Sequence, residues 1–534
     1  MSTRPDLPIT QAPPHAVDAS FFDIHRSDAG NARRLLEAHG LDICYHAERN
    51  EWLVWDGKRW VSDSKGRNVA GKMKVVLQEL RNESLAIMKE LGPHVEAFGG
   101  TLTGEQEILK ARLGKAERDY KWSIDSESDR HVSGAVRQAA SEAAVKIVHD
   151  WELDANLLLL NVQNGTYDLE ADRLREHRRE DLITKLAPVA YDPLAICERF
   201  DGFMSEIFPD NQPLIDYVQR VTGYCLSGLT TERILLFLIG AGHNGKSVLC
   251  NVLLRGIFGE HDGYGMDSSF STFTTGKYSA PDKPRNDLIR MRGKRFVAAS
   301  EADDSSMKID TALLKKISGN DDLSVRANFQ QEIEYTPQAK VFLRMNNEPR
   351  ILDGTDSTWD RVKKITFKRQ FSDDEKDPEL TQKLLKESSG IFNWLLEGWR
   401  FVQTAWSNHE AALPEPAEVK MATAEYRQTQ SQVSRFFMET YQVTSLECKP
   451  TPISEIYEAY KSWAAKQGEF PKNQTAFGLE LGRHLEKYKN EGNENVAKKR
   501  HGHDNVWCWF GIERLNGNQP ASSLDNDPQG EIPF

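Results

Sequence analysis

Residues 240–247 form a glycine-rich segment that follows an unbroken apolar run at residues 234–239. An apolar run without alternation is typical of a strand that is buried on both faces. The segment matches the pattern GxxxxGK[ST] and leads into a helical pattern with apolar Val248 and Leu249. We predict that it binds the phosphates of a nucleotide through Gly240, Ala241, Gly242, His243, Asn244, Gly245, Lys246 and Ser247.

The chemistry of phosphate binding accounts for this spacing. Glycines let the backbone turn so that successive N–H groups face a phosphate, and the start of the following helix adds positive potential. We predict that Lys246 reaches the β- and γ-phosphates of ATP and that the Ser247 hydroxyl ligates Mg²⁺. The alternative, a chance glycine loop, does not explain the strand before the motif and the helix after it.

Carboxylates follow a second apolar run, at residues 295–300. A carboxylate at the end of a strand beside the loop-bearing strand can hold Mg²⁺ and polarise the attacking water. We predict Glu301 as the first choice for this catalytic and metal-binding role and Asp303 as the second metal ligand. For Asp304, a position in a solvated loop is the preferred interpretation.

Two further polar residues stand next to apolar runs. Asn346 follows the run at residues 339–344, where an amide can contact the γ-phosphate and the attacking water, although asparagines more often serve turns. Arg361 precedes another apolar run, and it could act as an arginine finger on the nucleotide of a neighbouring subunit. A surface salt bridge explains Arg361 equally well from spacing alone.

These elements, in this order, resemble the superfamily three helicases, in the branch of phage, plasmid and poxvirus primase-helicases. Residues 312–321 are similar to a conserved block of that family and place Lys315 at its lysine. Asn346 falls in the family pattern N-x-x-P, and residues 359–362 match its arginine-finger stretch, which favours that role for Arg361. Residues 28–40, 52–60 and 161–177 resemble the module that precedes the helicase in this branch.

The resemblance implies an α/β fold with a P-loop AAA+-like core, an α+β N-terminal module and a C-terminal winged-helix domain. It also implies a hexameric ring around DNA with ATP and Mg²⁺ between neighbours. Family members often carry a primase domain, but no zinc cluster or acidic primase core is evident before the helicase. We therefore expect the helicase half alone, with no basis for priming activity.

A hairpin is predicted on either side of residues 328–331, because apolar and polar residues alternate there. In relatives, a hairpin at this point projects into the ring channel. We predict that Lys315 and Arg326 contact DNA and that Phe329 stacks on a base or sugar. Ordinary core packing is the alternative for Phe329.

The C-terminal region predicts a winged helix, with helices at residues 453–466 and 474–488, a basic turn at 498–500 and a strand at 506–512. Its predicted DNA contacts are Arg483, Lys487, Lys498 and Arg500. A packing module without DNA contact is the alternative. His501 and His503 lack an apparent third metal ligand, so they are interpreted as loop histidines.

The chain ends in an acidic stretch followed by Ile532, Pro533 and Phe534. This ending resembles the tip of bacterial single-stranded-DNA-binding proteins, which many replication enzymes bind. Phe534 offers an apolar ring and a free carboxylate on a flexible linker. We predict that the tail recruits host replication proteins, and the alternative is a terminus without function.

The length, net charge and cysteine pattern of the chain limit the class of protein that carries these sites. The chain has 534 residues and a formal net charge of -12, which excludes a surface that is basic throughout but permits a basic channel. No paired CxxC motif and no long apolar span is present, so we predict reduced thiols, no membrane span and a place in the bacterial host cytoplasm. The predicted segments are an arm (1–20), the N-terminal module (21–194), the ATPase (195–430), the winged helix (431–515) and a disordered tail (516–534).

The sequence therefore predicts an ATP-dependent replicative DNA helicase of a phage, plasmid or mobile element. A nucleotide-dependent DNA-binding switch or loader that does not unwind DNA is the main alternative. A small-molecule kinase with the same loop would leave Asn346, Arg361 and the C-terminal domain unexplained.

Overall fold

The computed structural model describes residues 24–275, 284–300, 308–326, 332–351, 355–444, 449–490, 496–501 and 505–515. The chain divides into two compact units, Met1–Pro193 with Ile257–Tyr264, and Leu194–Gly256 with Gly265–Phe534. Several predicted site residues lie outside the described residues, namely Glu301, Asp303, Phe329, Ile532, Pro533 and Phe534, together with the side chain of Lys487.

The first unit begins with helices packed on a mixed sheet. Its strands are β1 (Ile43–His46), β2 (Glu51–Trp55), β3 (Trp60–Asp63) and β4 (Ile147–Val148), in the order β3-β2-β1-β4. Strands β1 and β4 run parallel, whereas the other pairs are antiparallel. The helices are α1 (Asp28–His39), α2 (Arg67–Glu96), α3 (Gly104–Asp125) and α4 (Asp129–Ala139). Apolar residues of α1, α2 and α4 form one core with β1 and β2.

A second sheet completes the first unit, with β5 (Leu159–Val162), β6 (Gly165–Asp168) and β7 (Arg173–Arg175) in antiparallel order. Buried Asn161 lies on β5 and donates its side-chain amide to the carbonyl of Lys58 at 2.9 Å. Its backbone N–H donates to the hydroxyl of Tyr264 at 3.1 Å. This contact helps to explain why residues 257–264 belong to the first unit.

The second unit contains a five-stranded parallel sheet, which confirms the predicted α/β class at the level of a mixed fold. Its sheet order is β16-β8-β15-β11-β9. The strands of this region are β8 (Leu235–Ile239), β9 (Gly265–Ser269), β10 (Thr274–Thr275), β11 (Phe296–Ser300), β12 (Lys308–Ile309), β13 (Leu323–Arg326), β14 (Glu332–Tyr335), β15 (Lys340–Met345) and β16 (Val362–Thr366). Every residue of β8 and β15 is buried; β8 is an unbroken apolar run, whereas β15 also contains the buried cations Lys340 and Arg344.

Helices surround this sheet, and two glycines allow two of these helices to pack closely together. The helices are α5 (Glu198–Ile207), α6 (Gln212–Tyr224), α7 (Lys246–Val252), α8 (Asn286–Arg290), α9 (Thr311–Ser318), α10 (Asp356–Trp359), α11 (Leu380–Lys386), α12 (Ser388–Ser407) and α13 (Ala417–Gln430). A Cβ atom at Gly223 of α6 would lie 2.4 Å from the carbonyl oxygen of Leu395 in α12. One at Gly398 would lie 2.2 Å from the carbonyl oxygen of Gln219. Larger residues at either position would force the two helices apart.

Two buried cations satisfy the carbonyls that follow α6. Lys340 donates from Nζ to the carbonyl oxygens of Ser227 at 2.6 Å and Leu229 at 3.2 Å. Arg295 donates to the carbonyl oxygen of Leu226. Burial lowers the pKa of Lys340 to about 7. These carbonyls sit beyond the helix end without helical partners, and the cations supply donors for them from β15 and the start of β11.

The C-terminal part of the second unit has its own apolar core. Its elements are α14 (Gln432–Thr440), β17 (Tyr441–Val443), β18 (Thr451–Pro452), α15 (Ile453–Lys466), α16 (Gln474–Asn490), β19 (Ala497–His501), β20 (Val506–Phe510) and β21 (Ile512–Arg514). The sheet orders are β18-β20-β19 and β17-β21. Two local predictions are wrong here, because the basic segment is the strand β19 rather than a turn, and the strand at 506–512 is two strands divided at Gly511, whose φ is 71°.

Within the described part of the chain, none of the helices has the length and apolar character needed to cross a membrane. Five cysteines lie in that part, and all of them are free and buried: Cys44, Cys197, Cys225, Cys250 and Cys508. Burial raises the pKa of Cys44 and of Cys250 to about 12, so both thiols stay protonated near neutral pH.

Candidate nucleotide and DNA sites

The glycine-rich segment forms a loop between β8 and α7. Gly242 has a φ of 89° and Gly245 a φ of 85°, in the left-handed region that favours glycine. At Gly245 an added Cβ atom would also lie 2.4 Å from Cγ2 of Ile207, so both backbone and packing demand glycine. His243 adopts a φ of 47°, a conformation that non-glycine residues seldom take. The loop is therefore tightly turned, as phosphate binding requires.

Lys246 lies across this loop and is buried. Its Nζ donates to the carbonyl oxygen of Gly240 at 2.5 Å and to Oδ1 of Asn244 at 3.1 Å. The loop is held from outside as well, because the N–H of Phe371 donates to the carbonyl oxygen of His243 at 2.9 Å. The ammonium group therefore already sits against the turn where phosphate oxygens would replace these acceptors.

Two of the predicted site residues, Ser247 and Asn346, lie beside the loop. Ser247 is exposed in the first turn of α7. The N–H of Gly240 donates to the carbonyl oxygen of Met345 at 3.2 Å, so Asn346 follows the residue that pairs with the loop's first glycine. An exposed hydroxyl and an exposed amide beside a glycine loop fit a nucleotide with Mg²⁺. The predicted acids Glu301 and Asp303 lie beyond the described end of β11, Ser300.

Arg344 is a buried charged residue near this site that the sequence analysis missed. It lies on β15 and donates from Nη2 to Oδ1 of Asp267 on β9 at 2.8 Å. Its Nη1 lies 3.5 Å from Oδ1 of Asn251 on α7. An arginine inside an otherwise apolar strand was the available signal. These contacts connect β15 to β9 and to α7, the helix that follows the glycine-rich loop.

Arg361 lies at the amino ends of the parallel strands, and the glycine-rich loop lies at their carboxyl ends. The carbonyl oxygen of Arg361 accepts a hydrogen bond from the N–H of Leu235, the first residue of β8, at 2.8 Å. The phosphate loop follows the other end of β8, about 13 Å away at 3.3 Å per residue. An arginine side chain is too short to span this distance. Arg361 therefore has no route to the loop of its own chain.

Lys315 lies at the same end of the strands as Arg361. Its Nζ donates to Oγ1 of Thr355 at 2.9 Å. Thr355 is the N-cap of α10, the short helix that ends two residues before Arg361. A Cβ atom built on Gly319, just past the end of α9, would lie 3.6 Å from Nη2 of Arg361. The structure thus brings Lys315 and Arg361 together and separates both from Lys246.

The predicted hairpin is present as β13 and β14, which pair antiparallel with Arg326 opposite Glu332. Leu323 and Val325 turn into the core of the second unit, while Arg326 is exposed. Tyr335 anchors the returning strand, because its hydroxyl donates to the carbonyl oxygen of Leu288. The paired strands β13 and β14 are therefore anchored to the core, and Arg326 is the last described residue of β13.

Two of the predicted basic residues in the C-terminal region lie beside the ring of Trp507, a residue that the sequence analysis did not select. Arg483 is exposed on α16, whereas Lys498 and Arg500 are exposed on β19. Nζ of Lys498 lies 5.5 Å and Cζ of Arg500 5.1 Å from the ring centroid of Trp507, whose exposed fraction is 47%. Cations beside an exposed ring are typical of surfaces that bind nucleic acid. An exposed tryptophan beside a basic segment was the available signal.

Comparisons with known proteins found two matching family models and several viral proteins that are named as helicases. A family model described as "D5 N terminal like" matches residues 32–209, and a family of unknown function, DUF5906, matches residues 238–361. The helicase-named protein 121R of Invertebrate iridescent virus 3 is 27% identical over 338 residues, which cover 58% of this chain and 35% of that protein. The helicase-named L207/L206 of Acanthamoeba polyphaga mimivirus is 27% identical, covering 64% of this chain and 34% of that protein.

This chain therefore spans about a third of the length of these two relatives. The helicase-named protein 022R of Frog virus 3 is 21% identical and matches 79% of this chain and 52% of its own length. Among solved structures, the apo C-terminal region of NrS-1 aligns with 91% of this chain and 100% of its own, with a TM-score of 0.41 and 9% identity.

Proposed function

Because the chain belongs to the superfamily three-like primase-helicase family of phages and viruses, we propose that it is an ATP-dependent DNA helicase. The observation that carries this proposal is the turned glycine loop between β8 and α7, with Lys246 lying across it. Two relatives that match more than half of this chain are named as helicases. We place the ATPase in residues 195–430.

In this proposal the loop binds ATP, and Mg²⁺ completes the site. The N–H groups of the loop and Nζ of Lys246 would hold the β- and γ-phosphates, while the hydroxyl of Ser247 would ligate the ion. Bound Mg²⁺ would offset the charge that develops on the phosphates. Glu301 and Asp303 are proposed as its acidic partners, and Asn346 as the residue that orients the attacking water.

The position of Arg361 supports a ring of identical subunits. Arg361 lies at the end of the strands opposite its own glycine-rich loop. If it contacts a nucleotide, that nucleotide must therefore be bound to the loop of a neighbouring subunit. A head-to-tail interface that closes under rotation supplies that neighbour for every subunit. We propose a homo-hexamer on the family resemblance. The nearby Lys315 would lie at the same interface.

DNA contact is proposed at two places in the second unit. The hairpin would carry Arg326 and Phe329 to one strand in the ring channel. In the C-terminal region, α14, β18, α15, α16 and the β19–β20 pair follow one another in the order of a winged helix. This order supports α16, with Arg483 and Lys487, as the groove-binding helix, and it supports the basic strand β19 as part of the wing.

The activity is tested by strand separation. We expect the wild-type chain to separate a forked DNA duplex with ATP and Mg²⁺, and single-stranded DNA to raise its ATPase rate. Arg326→Ala should reduce both the stimulation and the unwinding by about tenfold or more, because a phosphate contact is lost. Arg199→Ala serves as the control, since Arg199 pairs with Glu206 on α5 at 3.1 Å. Full stimulation in Arg326→Ala would remove the hairpin from the DNA path.

The same assay separates the helicase from its main alternative. A nucleotide-dependent switch or loader would hydrolyse ATP and bind DNA without separating the fork. The exposed cluster of Lys498, Arg500 and Trp507 fits either activity, because it concerns DNA binding alone. Hydrolysis without strand separation under all fork geometries would favour the switch.

We propose in addition that the C-terminal tip recruits replication proteins of a bacterial host. Deleting residues 532–534 should abolish capture of proteins that bind the tip of single-stranded-DNA-binding protein, because the terminal carboxylate and the Phe534 ring are lost. The measurement is a pulldown with purified host proteins, and the control is the substitution Asn526→Ala in the same tail. Equal capture by the deleted chain would leave the tail without this role.

A further inference from the structure

A cluster of histidines and carboxylates lies in the first unit, at residues 46–48 and 149–150. The parallel strands β1 and β4 pair His46 with Val148, so the residues that follow the two strands emerge at one sheet edge. This brings His46, Glu48 and Asp150 together although 104 positions separate His46 from Asp150. One ligand atom from each of the three residues can be chosen so that all lie within 4.8 Å of one another.

The imidazole of His46 is the centre of this cluster. It is fully buried, with Nε2 at 3.1 Å from Oδ1 of Asp150 and Nδ1 at 3.5 Å from Oε2 of Glu48. Glu48 is oriented in turn by His149, whose Nδ1 lies 2.7 Å from Oε1 of Glu48. Metal-binding carboxylates in proteins are commonly fixed by such a second hydrogen bond.

The charge around His46 favours a cation. The guanidinium of Arg49 lies 2.8 Å from Asp150 and 3.7 Å from Glu51, and Glu48 adds a third carboxylate 3.5 Å from the imidazole. Glu51 offers Arg49 a second partner, so Asp150 can turn an oxygen to an ion without leaving the guanidinium unpaired. The cluster therefore retains negative charge after its internal ion pairs are counted.

We propose that His46, Glu48 and Asp150 bind a divalent transition-metal ion, with zinc as the best match. One nitrogen and two carboxylate oxygens with a water are typical of four-coordinate zinc, whereas Mg²⁺ and Ca²⁺ prefer oxygen ligands throughout. Donors around tetrahedral zinc lie about 3.4 Å apart, so side-chain shifts of about 1 Å close the set. Binding through one ring nitrogen of His46 would require that nitrogen to be free of its proton, which would move to the other ring nitrogen or to solvent. The ion would join the ends of β1 and β4, which flank the inserted helices α2 to α4.

The test is zinc binding by the full chain after removal of metals with a chelator. We expect one high-affinity zinc ion per chain by competition with a chromophoric chelator, and a rise in Tm on adding zinc. Asp150→Asn and His46→Gln should each weaken binding by about 100-fold or more and remove the Tm shift. The exposed residue Glu48 supplies a third variant, Glu48→Gln, which leaves the buried imidazole in place.

A matched control exists in the same unit. His131 and Asp28 form a comparable pair, with Nδ1 and Oδ1 2.7 Å apart, but they belong to no three-residue group in the described part of the chain. His131→Gln should therefore bind zinc as the wild type does. Equal zinc affinity in the wild type, Asp150→Asn and Glu48→Gln would overturn the proposal, as would an absence of high-affinity binding by the wild type. Neither outcome depends on the ATPase or on DNA.

Discussion

Replacing Lys246 with alanine is expected to lower the ATPase rate by about 100-fold or more and to abolish strand separation. The loss follows because the ammonium group that lies across the glycine loop is the positive charge closest to where the β- and γ-phosphates would sit. The measurement is steady-state ATP hydrolysis with and without single-stranded DNA, together with fork unwinding. The thermal midpoint should be recorded for each variant, because Lys246 is buried.

The control for this substitution is Lys368→Ala. Lys368 lies just past β16 with its side chain 73% exposed, and its Nζ is 2.7 Å from Oε1 of Glu418. Loss of an exposed ion pair costs little stability, so hydrolysis should stay within about twofold of the wild type. If Lys246→Ala hydrolysed ATP at the wild-type rate while remaining folded, the glycine loop would not be the nucleotide site.

Replacing Arg361 with alanine is expected to reduce ATP hydrolysis by about 1000-fold while nucleotide binding persists. The reason is that an arginine finger stabilises charge in the transition state and does not hold the ground-state nucleotide. Binding of a fluorescent ATP analogue and hydrolysis should be measured on the same preparation. Loss of both to the same extent would indicate a structural role, because Nη1 of Arg361 also donates to the carbonyl oxygen of Ser357 at 2.5 Å.

Mixing two inactive variants tests whether Arg361 acts between subunits. A ring that contains both Lys246→Ala and Arg361→Ala subunits has interfaces in which an intact loop meets an intact arginine. With random assembly from equal amounts, about a quarter of the interfaces would be of this kind. We therefore expect the mixture to regain a measurable part of the wild-type ATPase rate, whereas each variant alone stays inactive. No recovery, with mixed assembly verified by differently tagged subunits, would contradict action in trans.

The sequence alone predicted the features that depend on local pattern. An unbroken apolar run identified β8, because a strand that is buried on both faces has no polar side to show, and shorter apolar stretches indicated β11 and β15. The fixed spacing of Gly240, Gly245 and Lys246 identified the loop. The capped helix α1 was also legible, since Gly40 follows its last residue.

Strand β19 shows where local pattern fails. Its residues, Ala497 to His501, include no large apolar side chain, and four of the five are exposed. No periodicity marks them as a strand, so they were predicted as a turn. They are extended because the later strand β20 supplies their hydrogen-bonding partners.

Tertiary structure decided which residues meet. The parallel pairing of β16 with β8 places Arg361 at the amino ends of these strands, whereas the glycine-rich loop follows the carboxyl end of β8. No spacing in the chain states that these two strands lie side by side, because their pairing is a property of the tertiary structure. The same holds for His46 and Asp150, which the parallel pairing of β1 and β4 joins across the inserted helices. Sequence determined the chemistry that each segment can offer. The packing of distant strands determined which of these groups lie close together.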